Sequence, residues 1–379
     1  MTDFLPYGRQ NISEADVEAV ATALREPRIT QGPTIPRFED AFADYVGARH
    51  AVAFSSGTAA LHGAAFAAGL GPGDEAIVPP ITFAASSNCV LYMGAEPRFV
   101  DIDPATWNLD TARAAEEVGE RTKAIVPVSF AGLPVDLEPL ASVRDRVVVI
   151  EDACHAVGAR RAEGMVGGPG GADITVFSFH PVKSMTTGEG GIATTEDDEL
   201  AARLRLLRTH GITKEGVDLD TEGDWYYEMH GLGFNYRITD FQCALGLSQL
   251  ERVDGWIEER NTIADRYREL LADDDRVQLP PAAPDGWRHG HHLFPIVLQG
   301  GASVRRRVFD HLRGAGIGTQ VHYIPVYRLS YYRDELSYPQ DDCPAAERYY
   351  AGAISLPMFP GLEQEDVARV VGELGRALA

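Results

Sequence analysis

From residue 51 to residue 195 the chain repeats one pattern: a short apolar run, a turn, then a helical stretch. The runs fall at 51–54, 75–78, 96–100, 124–128, 147–150, 174–179 and 191–195, with helical patterns at 58–68 and 83–93 between them. Apolar runs this short, without polar alternation, are strands buried on both faces. Their alternation with helices predicts an α/β fold with a mostly parallel central sheet covered on both sides. Around this block, 13–24 reads as a helix capped by Ser13 with Asp16 three residues on. Residues 29–36 read as a loop, 36–45 and 196–209 as helices, and 213–228 as an exposed loop. Residues 239–269 form one long helical pattern. After Pro280 the rhythm changes: a strand at 292–297, a helix at 304–314, a strand at 319–322 and a terminal helix at 364–378. We place a domain boundary near residue 250. That gives a large domain over 1–250 and a smaller α+β domain over 251–379, with the N-terminal segment packing on the smaller one.

At 379 residues the chain is long enough for two cores. The formal net charge of -22 argues against a nucleic-acid or anionic-membrane partner, since both would be repelled. It leaves room for an anionic small molecule, which meets only local donors. Cys89, Cys154, Cys243 and Cys343 are scattered without metal-ligand spacing, so no metal site is expected and the thiols read as reduced. The N-terminus lacks an apolar core like a signal peptide's, and no run is long enough to span a bilayer. The expected location is cytoplasmic.

Nearly all positive charge is arginine; lysine occurs only at 123, 183 and 214. Lys183 follows a buried strand, sits in a turn with Ser178, His180 and Ser184, and leads into Thr186-Thr-Gly-Glu-Gly-Gly191. Arginine cannot replace lysine where an amine must form an imine, because guanidinium stays protonated. A pyridoxal-phosphate enzyme needs such an amine; a lysine in a solvated turn is the bland alternative. Gly57 turns the first strand into a helix, where backbone amides and the Thr58 hydroxyl suit a phosphate, or simply cap a helix. Asp152 stands just beyond a buried strand, where open α/β sheets collect their chemistry. It suits the protonated ring nitrogen of pyridoxal phosphate, or the cap of the next helix. His155 is placed to stack on or hydrogen-bond the ring, or to be structural. Asn235, Tyr236 and Arg237 lie in a glycine-flanked loop suited to phosphate or carboxylate, or to a tight turn. His322, Tyr323 and Tyr327 bring polar rings near the domain boundary, where core packing explains them as well.

Together the segments resemble the DegT-type sugar aminotransferases over nearly the whole chain. The resemblance rests on Gly57-Thr-Ala-Ala60, Pro80-Ile-Thr-Phe83, Glu151-Asp-Ala-Cys-His155, Ser178-Phe-His-Pro-Val-Lys183, Thr187-Gly-Glu-Gly-Gly191, Asn235-Tyr-Arg237 and Val321-His-Tyr-Ile-Pro325. It implies the fold type I, aspartate-aminotransferase-like architecture of pyridoxal-phosphate enzymes, with pyridoxamine phosphate as the second form of the cofactor. It implies that Lys183 carries the imine and the proton and that Asp152 holds the pyridine nitrogen. Thr58, Ala59 and Ser178 would bind phosphate, beside Gly57, and Phe83 would stack on the ring. His155 stands where many members carry glutamine. Asn235 would reach the cofactor of a neighbouring subunit, making a homodimer with shared sites. Arg237, His322, Tyr323 and Tyr327 are the candidate substrate contacts. Within the family the motifs are most similar to the pseudaminic-acid branch, which aminates C4 of a UDP-linked 4-keto-6-deoxy-N-acetyl-hexosamine, with L-glutamate the expected donor. A 3-keto sugar nucleotide or a cyclitol ketone is the alternative acceptor. A non-catalytic pyridoxal-phosphate-binding regulator and a nucleotide-sugar binding protein are the alternatives from other classes.

Overall fold

The apolar runs assemble into one seven-stranded sheet. Its strands are β1 (His50–Phe54), β2 (Glu75–Val78), β3 (Glu96–Phe99), β4 (Thr122–Ile125), β5 (Val148–Asp152), β6 (Ile174–Ser178) and β7 (Gly191–Thr195), in the order β1-β7-β6-β5-β4-β2-β3. The structure is a computed structural model and describes residues 4–214, 216, 218, 220, 223–338 and 342–379. Every pairing is parallel except the two that β7 makes, with β1 and β6. The expectation of a mostly parallel sheet therefore holds, and β7 is its one reversed strand.

Side chains alternate between two buried faces, as a strand period of two requires. Val52 and Phe54 of β1 join one core with helix α3 (Gly57–Ala67), while Ala51 and Ala53 join the opposite core with helix α2 (Thr34–Val46). The first helix, α1 (Glu14–Ala23), has the capping box expected of Ser13 and Asp16. Helices α4 (Ala85–Tyr92), α5 (Thr111–Glu116) and α6 (Asp198–Arg208) complete the layers.

The long helical pattern is two helices, α7 (Asp240–Leu250) and α8 (Val253–Leu271). Arg252 stands at the break, where its guanidinium turns away to bond Asp16 at 2.6 Å and lies 4.7 Å from the Trp256 ring centre. A second, three-stranded antiparallel sheet follows, in the order β10 (Val277–Gln278), β11 (Phe294–Leu298), β12 (Ala353–Leu356). It packs with α8, α9 (Gly301–Gly314) and α11 (Gln364–Leu378) into a separate core that also takes in Leu5. Helix α10 (Pro344–Gly352) precedes β12.

Residues 319–322, expected as a strand, make only a single bridge, Gln320 to Ser355. Val321, His322 and Tyr323 all line one cavity, which strand alternation would forbid. In the expected loop over 213–228, residues 215, 217, 219, 221 and 222 lie outside the described residues. At its two ends β8 (Ile212–Thr213) pairs with β9 (Glu228–Met229).

Candidate active site

The C-terminal ends of β1, β2, β5 and β6 open onto the same cavity, of about 670 Å³. Ser56, Gly57 and Thr58 follow β1; Thr82, Phe83 and Ala84 follow β2. Asp152, Cys154 and His155 come from β5, and Ser178, His180 and Lys183 from β6. Tyr7, His292, Gln320, His322 and Tyr323 close it from the other side. This is where open parallel sheets place ligands.

Each local fold has an identifiable cause. Ser56 caps α3 by accepting from the Ala59 N–H at 3.1 Å, so the helix begins at the cavity wall with its positive end toward it. Gly57 is required by crowding: a Cβ there would lie 2.8 Å from Ser178 Cβ. Gly191 is required likewise, since a Cβ would lie 2.6 Å from Ser56 O. The Lys183 turn is held by its own hydroxyls and a neighbour. Thr186 Oγ1 donates to Phe179 O at 2.9 Å, Thr187 Oγ1 donates to Glu189 O at 2.7 Å, and Gln249 Oε1 accepts from the Thr186 N–H at 3.3 Å.

Asp152 is the last residue of β5 rather than one beyond it. Ser86 Oγ donates to its Oδ2 at 2.6 Å and the Cys154 N–H to its Oδ1 at 3.1 Å. Thr82 Oγ1 lies 2.6 Å from Ser86 Oγ, completing a buried relay behind the carboxylate. Next to it, Glu151 is sealed in the core against Arg161 Nη2 at 2.6 Å and Ser129 Oγ at 2.5 Å, which pins the strand end.

Desolvation pulls the Lys183 ammonium below its ordinary value, with Cys154 and Asp152 pulling the other way. His155 and His292 are pushed well below the usual imidazole range by burial and by the charge of Lys183. His322 is pushed down to about 3 by the same two causes. The amine is thus ringed by neutral imidazoles. His322 Nδ1 lies 2.8 Å from Ser355 Oγ, and Tyr323 Oη lies 3.1 Å from His155 Nε2.

The structure brings together Gly57, Thr58, Phe83, Asp152, His155, Ser178, Lys183, His322 and Tyr323 from the residues singled out in the sequence. Phe83 stands at the rim, 60% exposed, with its ring centre 6.2 Å from that of Tyr323. Ala59 is buried behind the wall and its N–H is occupied by Ser56. Asn235 is exposed and Arg237 half-buried, and neither lines the cavity of its own chain. Tyr327 is a correction. It is buried against Phe99, with its hydroxyl donating to Glu347 at 2.8 Å, and it lines a separate, smaller cavity rather than this one. Its aromatic bulk fills the adjoining core, where an unpaired hydroxyl would be costly.

Sequence reasoning missed Ser86, Thr82, Tyr7 and His292. The spacing of Thr82 and Ser86, four residues apart just after the Pro80 turn, was a usable signal for the first pair. Tyr7 and His292 arrive from distant segments, and nothing local marks them.

Comparison with known proteins gives a consistent result. The sequence pattern of the DegT/DnrJ/EryC1/StrS aminotransferase family matches residues 10–375. The spore coat polysaccharide biosynthesis protein SpsC of Bacillus subtilis (strain 168) is 39% identical over 374 residues, covering 97% of this chain and 95% of that protein. Among solved structures, Helicobacter pylori PseC, an aminotransferase involved in the biosynthesis of pseudoaminic acid, superposes with a TM-score of 0.90 at 30% identity over 99% of each chain. The PMP form of Spr1654 from Streptococcus pneumoniae superposes with a TM-score of 0.92 at 30% identity over 98% of each chain. Its PLP form superposes with a TM-score of 0.91, also at 30% identity, over 99% of this chain and 98% of that one. The chain belongs to the DegT/DnrJ/EryC1/StrS aminotransferase family.

Proposed function

We propose that this enzyme uses pyridoxal phosphate to move an amino group from L-glutamate to C4 of a nucleotide-linked 4-keto-6-deoxy sugar, with a UDP-linked N-acetyl-hexosamine as the favoured acceptor. The observation that carries the reading is the cavity itself. It sets a desolvated lysine beside a buried carboxylate, at the end of a helix that presents backbone amides.

The residues fit the cofactor. Gly57 and Gly191 let the start of α3 pack directly against Ser178 and β7, which sets its first backbone amides at the cavity wall where a phosphate would sit. Ser178 and Thr58 add hydroxyls there. Asp152, fixed through Ser86 and Cys154, would hold the cationic ring nitrogen. A cavity of about 670 Å³ is within the usual range for small-molecule sites. When bound, pyridoxal phosphate supplies an electron sink and carries nitrogen between donor and acceptor.

Lys183 would hold the cofactor covalently and would take and return a proton at Nζ; burial, by lowering its pKa, raises the share of free amine available for both roles. Phe83 covers one face of the ring site, and His155 and Tyr323 form a polar wall. His322 is a neutral donor or acceptor for the sugar, held by Ser355.

The site is shared in a homodimer. No arginine lines the cavity among the described residues, although a nucleotide diphosphate calls for one. Arg237 and Asn235 lie on a segment where Leu232 is 77% and Trp225 79% exposed, a surface suited to cover by a second copy. In this arrangement Asn235 reaches the neighbour's cofactor phosphate and Arg237 the nucleotide. The four cysteines are unpaired, as in a cytoplasmic enzyme. No helix among the described residues is long and apolar enough to cross a membrane. We place the large domain over 1–250 and the small one over 251–379, with the cavity between them. Resemblance to PseC and SpsC supports a product in the pseudaminic-acid or a related cell-surface polysaccharide route.

The test is to load the enzyme with pyridoxamine phosphate and offer UDP- and dTDP-4-keto sugars, a 3-keto sugar nucleotide and scyllo-inosose, identifying products by mass and NMR. Turnover of the UDP-4-keto sugar alone is the expected result. Turnover of only the 3-keto sugar or the cyclitol overturns the C4 assignment.

A further inference from the structure

One chain of hydrogen bonds at the cavity wall has a fixed direction. The Ala131 backbone N–H donates to His155 Nδ1 at 3.3 Å. A peptide N–H can only donate, so Nδ1 is the acceptor and carries no proton. The single ring proton is then on Nε2. That nitrogen lies 3.1 Å from Tyr323 Oη, so histidine donates and the phenol oxygen accepts. The phenol's own proton must point elsewhere. Among the described residues the only hydrogen-bond partner of Tyr323 Oη is His155, and Tyr323 lines the cavity with Lys183 and Asp152.

The device is held from behind. The His155 ring packs against His292 with centres 4.6 Å apart, which limits its rotation. Ala131, whose amide sets the tautomer, has φ 56°, a left-handed conformation that is strained for an alanine. The next residue, Gly132, has φ 102°, and a Cβ there would stand 2.9 Å from His155 O. A turn strained in this way persists where the surrounding structure requires it.

We infer that Tyr323 is a directed phenol donor in the active site, that His155 is the positioning residue that directs it, and that its acceptor is an oxygen of the bound reactants. This rests on the functional reading above and deepens it. The acceptor is either the ring oxygen of the cofactor or an oxygen of the keto sugar; both take the same hydrogen bond. This part of the cavity wall therefore acts as a hydrogen-bond donor of fixed direction rather than as an adaptable polar surface.

The experiment uses the holoenzyme and the variants Tyr323→Phe, His155→Phe, His155→Gln and the double Tyr323→Phe/His155→Phe. Two quantities are read: the pH titration of the bound cofactor's absorbance without sugar, and KM against kcat for the keto sugar. In Tyr323→Phe a displaced absorbance midpoint assigns the acceptor to the cofactor. An unmoved midpoint with KM raised about tenfold, the size of one good hydrogen bond, assigns it to the sugar. His155→Phe gives a smaller change in the same quantity, and the double variant is no worse than Tyr323→Phe alone. His155→Gln, whose amide can accept from Ala131 and donate to Tyr323, restores the wild-type value. Uptake of pyridoxal phosphate with neither quantity altered in Tyr323→Phe, or additive effects in the double variant, overturns this inference alone. If the unsubstituted protein takes up no pyridoxal phosphate, the functional reading itself falls.

Discussion

Replacing Gly57 by alanine sets two effects of opposite sign against each other. Gly57 is the first residue of α3 and its φ is not left-handed, so alanine fits the backbone. On helix preference alone the change stabilises, by up to about 1 kcal/mol. The added Cβ, however, stands 2.8 Å from Ser178 Cβ, 3.1 Å from Ser178 Oγ and 3.4 Å from Cys154 Sγ. Ser178 Cβ is attached directly to the end of β6, so it cannot swing away like the tip of a long side chain. The overlap is about 0.6 Å short of the 3.4 Å where ordinary contact begins, and the start of α3 must retreat by a similar amount. Overpacking of this kind costs roughly 1–3 kcal/mol, which cancels or exceeds the helix gain.

The consequence for binding is larger than for folding. If the α3 amides hold the cofactor phosphate, a shift of this size weakens at least one hydrogen bond to a charged group, of roughly 1.5–3 kcal/mol. The Kd for pyridoxal phosphate should then rise about 10- to 100-fold. The assay is titration of the apoprotein followed by absorbance and tryptophan fluorescence, run in parallel with pyridoxal, which has the same ring and no phosphate. Pyridoxal affinity should stay unchanged. An unaltered Kd for pyridoxal phosphate in a folded Gly57→Ala protein would refute the phosphate cradle. An equal loss for both ligands would place the damage at the ring site instead.

Four further outcomes are expected. Lys183→Ala should abolish turnover and the absorbance of covalently held cofactor, while Lys123→Arg leaves both intact; Asp152→Asn should still bind cofactor but slow turnover at least ~100-fold, as loss of an electrostatic partner does. Mixing inactive Lys183→Ala with inactive Asn235→Asp protein should restore activity through heterodimers carrying one intact composite site, and no recovery despite proven subunit exchange would place Asn235 outside the neighbour's site. Asp16 accepts from the Ser13 N–H at 2.8 Å, Ser248 Oγ at 2.7 Å, Gln249 Nε2 at 2.8 Å and Arg252 at 2.6 Å, joining α1 to α7. Desolvation raises its pKa, but the bonds from Ser13, Arg252 and Ser248 outweigh that and hold it below the usual value. A lowered carboxylate pKa stabilises the fold above the unfolded value and loses that stabilisation as pH falls through the folded one. Asp16→Asn should therefore cost roughly 1–3 kcal/mol near neutral pH, since Arg252 is partly exposed and can return to water, and the gap in denaturant midpoint should begin to close below about pH 4 and vanish as pH falls through the lowered native pKa.

The parallel sheet was legible because each strand is buried on both faces, which leaves an uninterrupted apolar run in the sequence. The reversed strand β7 was not. Its residues, Gly191 to Thr195, carry no mark of direction, which is set by the tight return from Ser178 through the Lys183 turn. The break between α7 and α8 was hidden for a different reason. Leu250, Val253, Trp256 and Ile257 are all buried, so the apolar period runs straight through it. At the break Arg252 has φ -111° and ψ -3°, and its side chain bonds Asp16, 236 residues earlier, a partner that no local pattern reveals.

The site divides along the same line. Asp152, Ser178 and Gly57 were readable because each ends a strand or opens a helix, which places a residue at the sheet's carboxyl edge; Lys183 was readable because it is one of three lysines and sits in the polar turn that follows β6. Tyr327 was misread because an aromatic near polar residues looks the same in sequence whether its hydroxyl meets a ligand or, as here, Glu347. Ser86 was overlooked for the converse reason. A buried serine carries no signal of its own, and its importance appears only once the fold has brought it 2.6 Å from Asp152. Sequence position therefore indicates which groups can face the cavity. Which of them stay free to react is decided by long-range partners that use up the remaining hydrogen-bonding capacity, as Glu347 does for Tyr327 and His155 for one side of Tyr323.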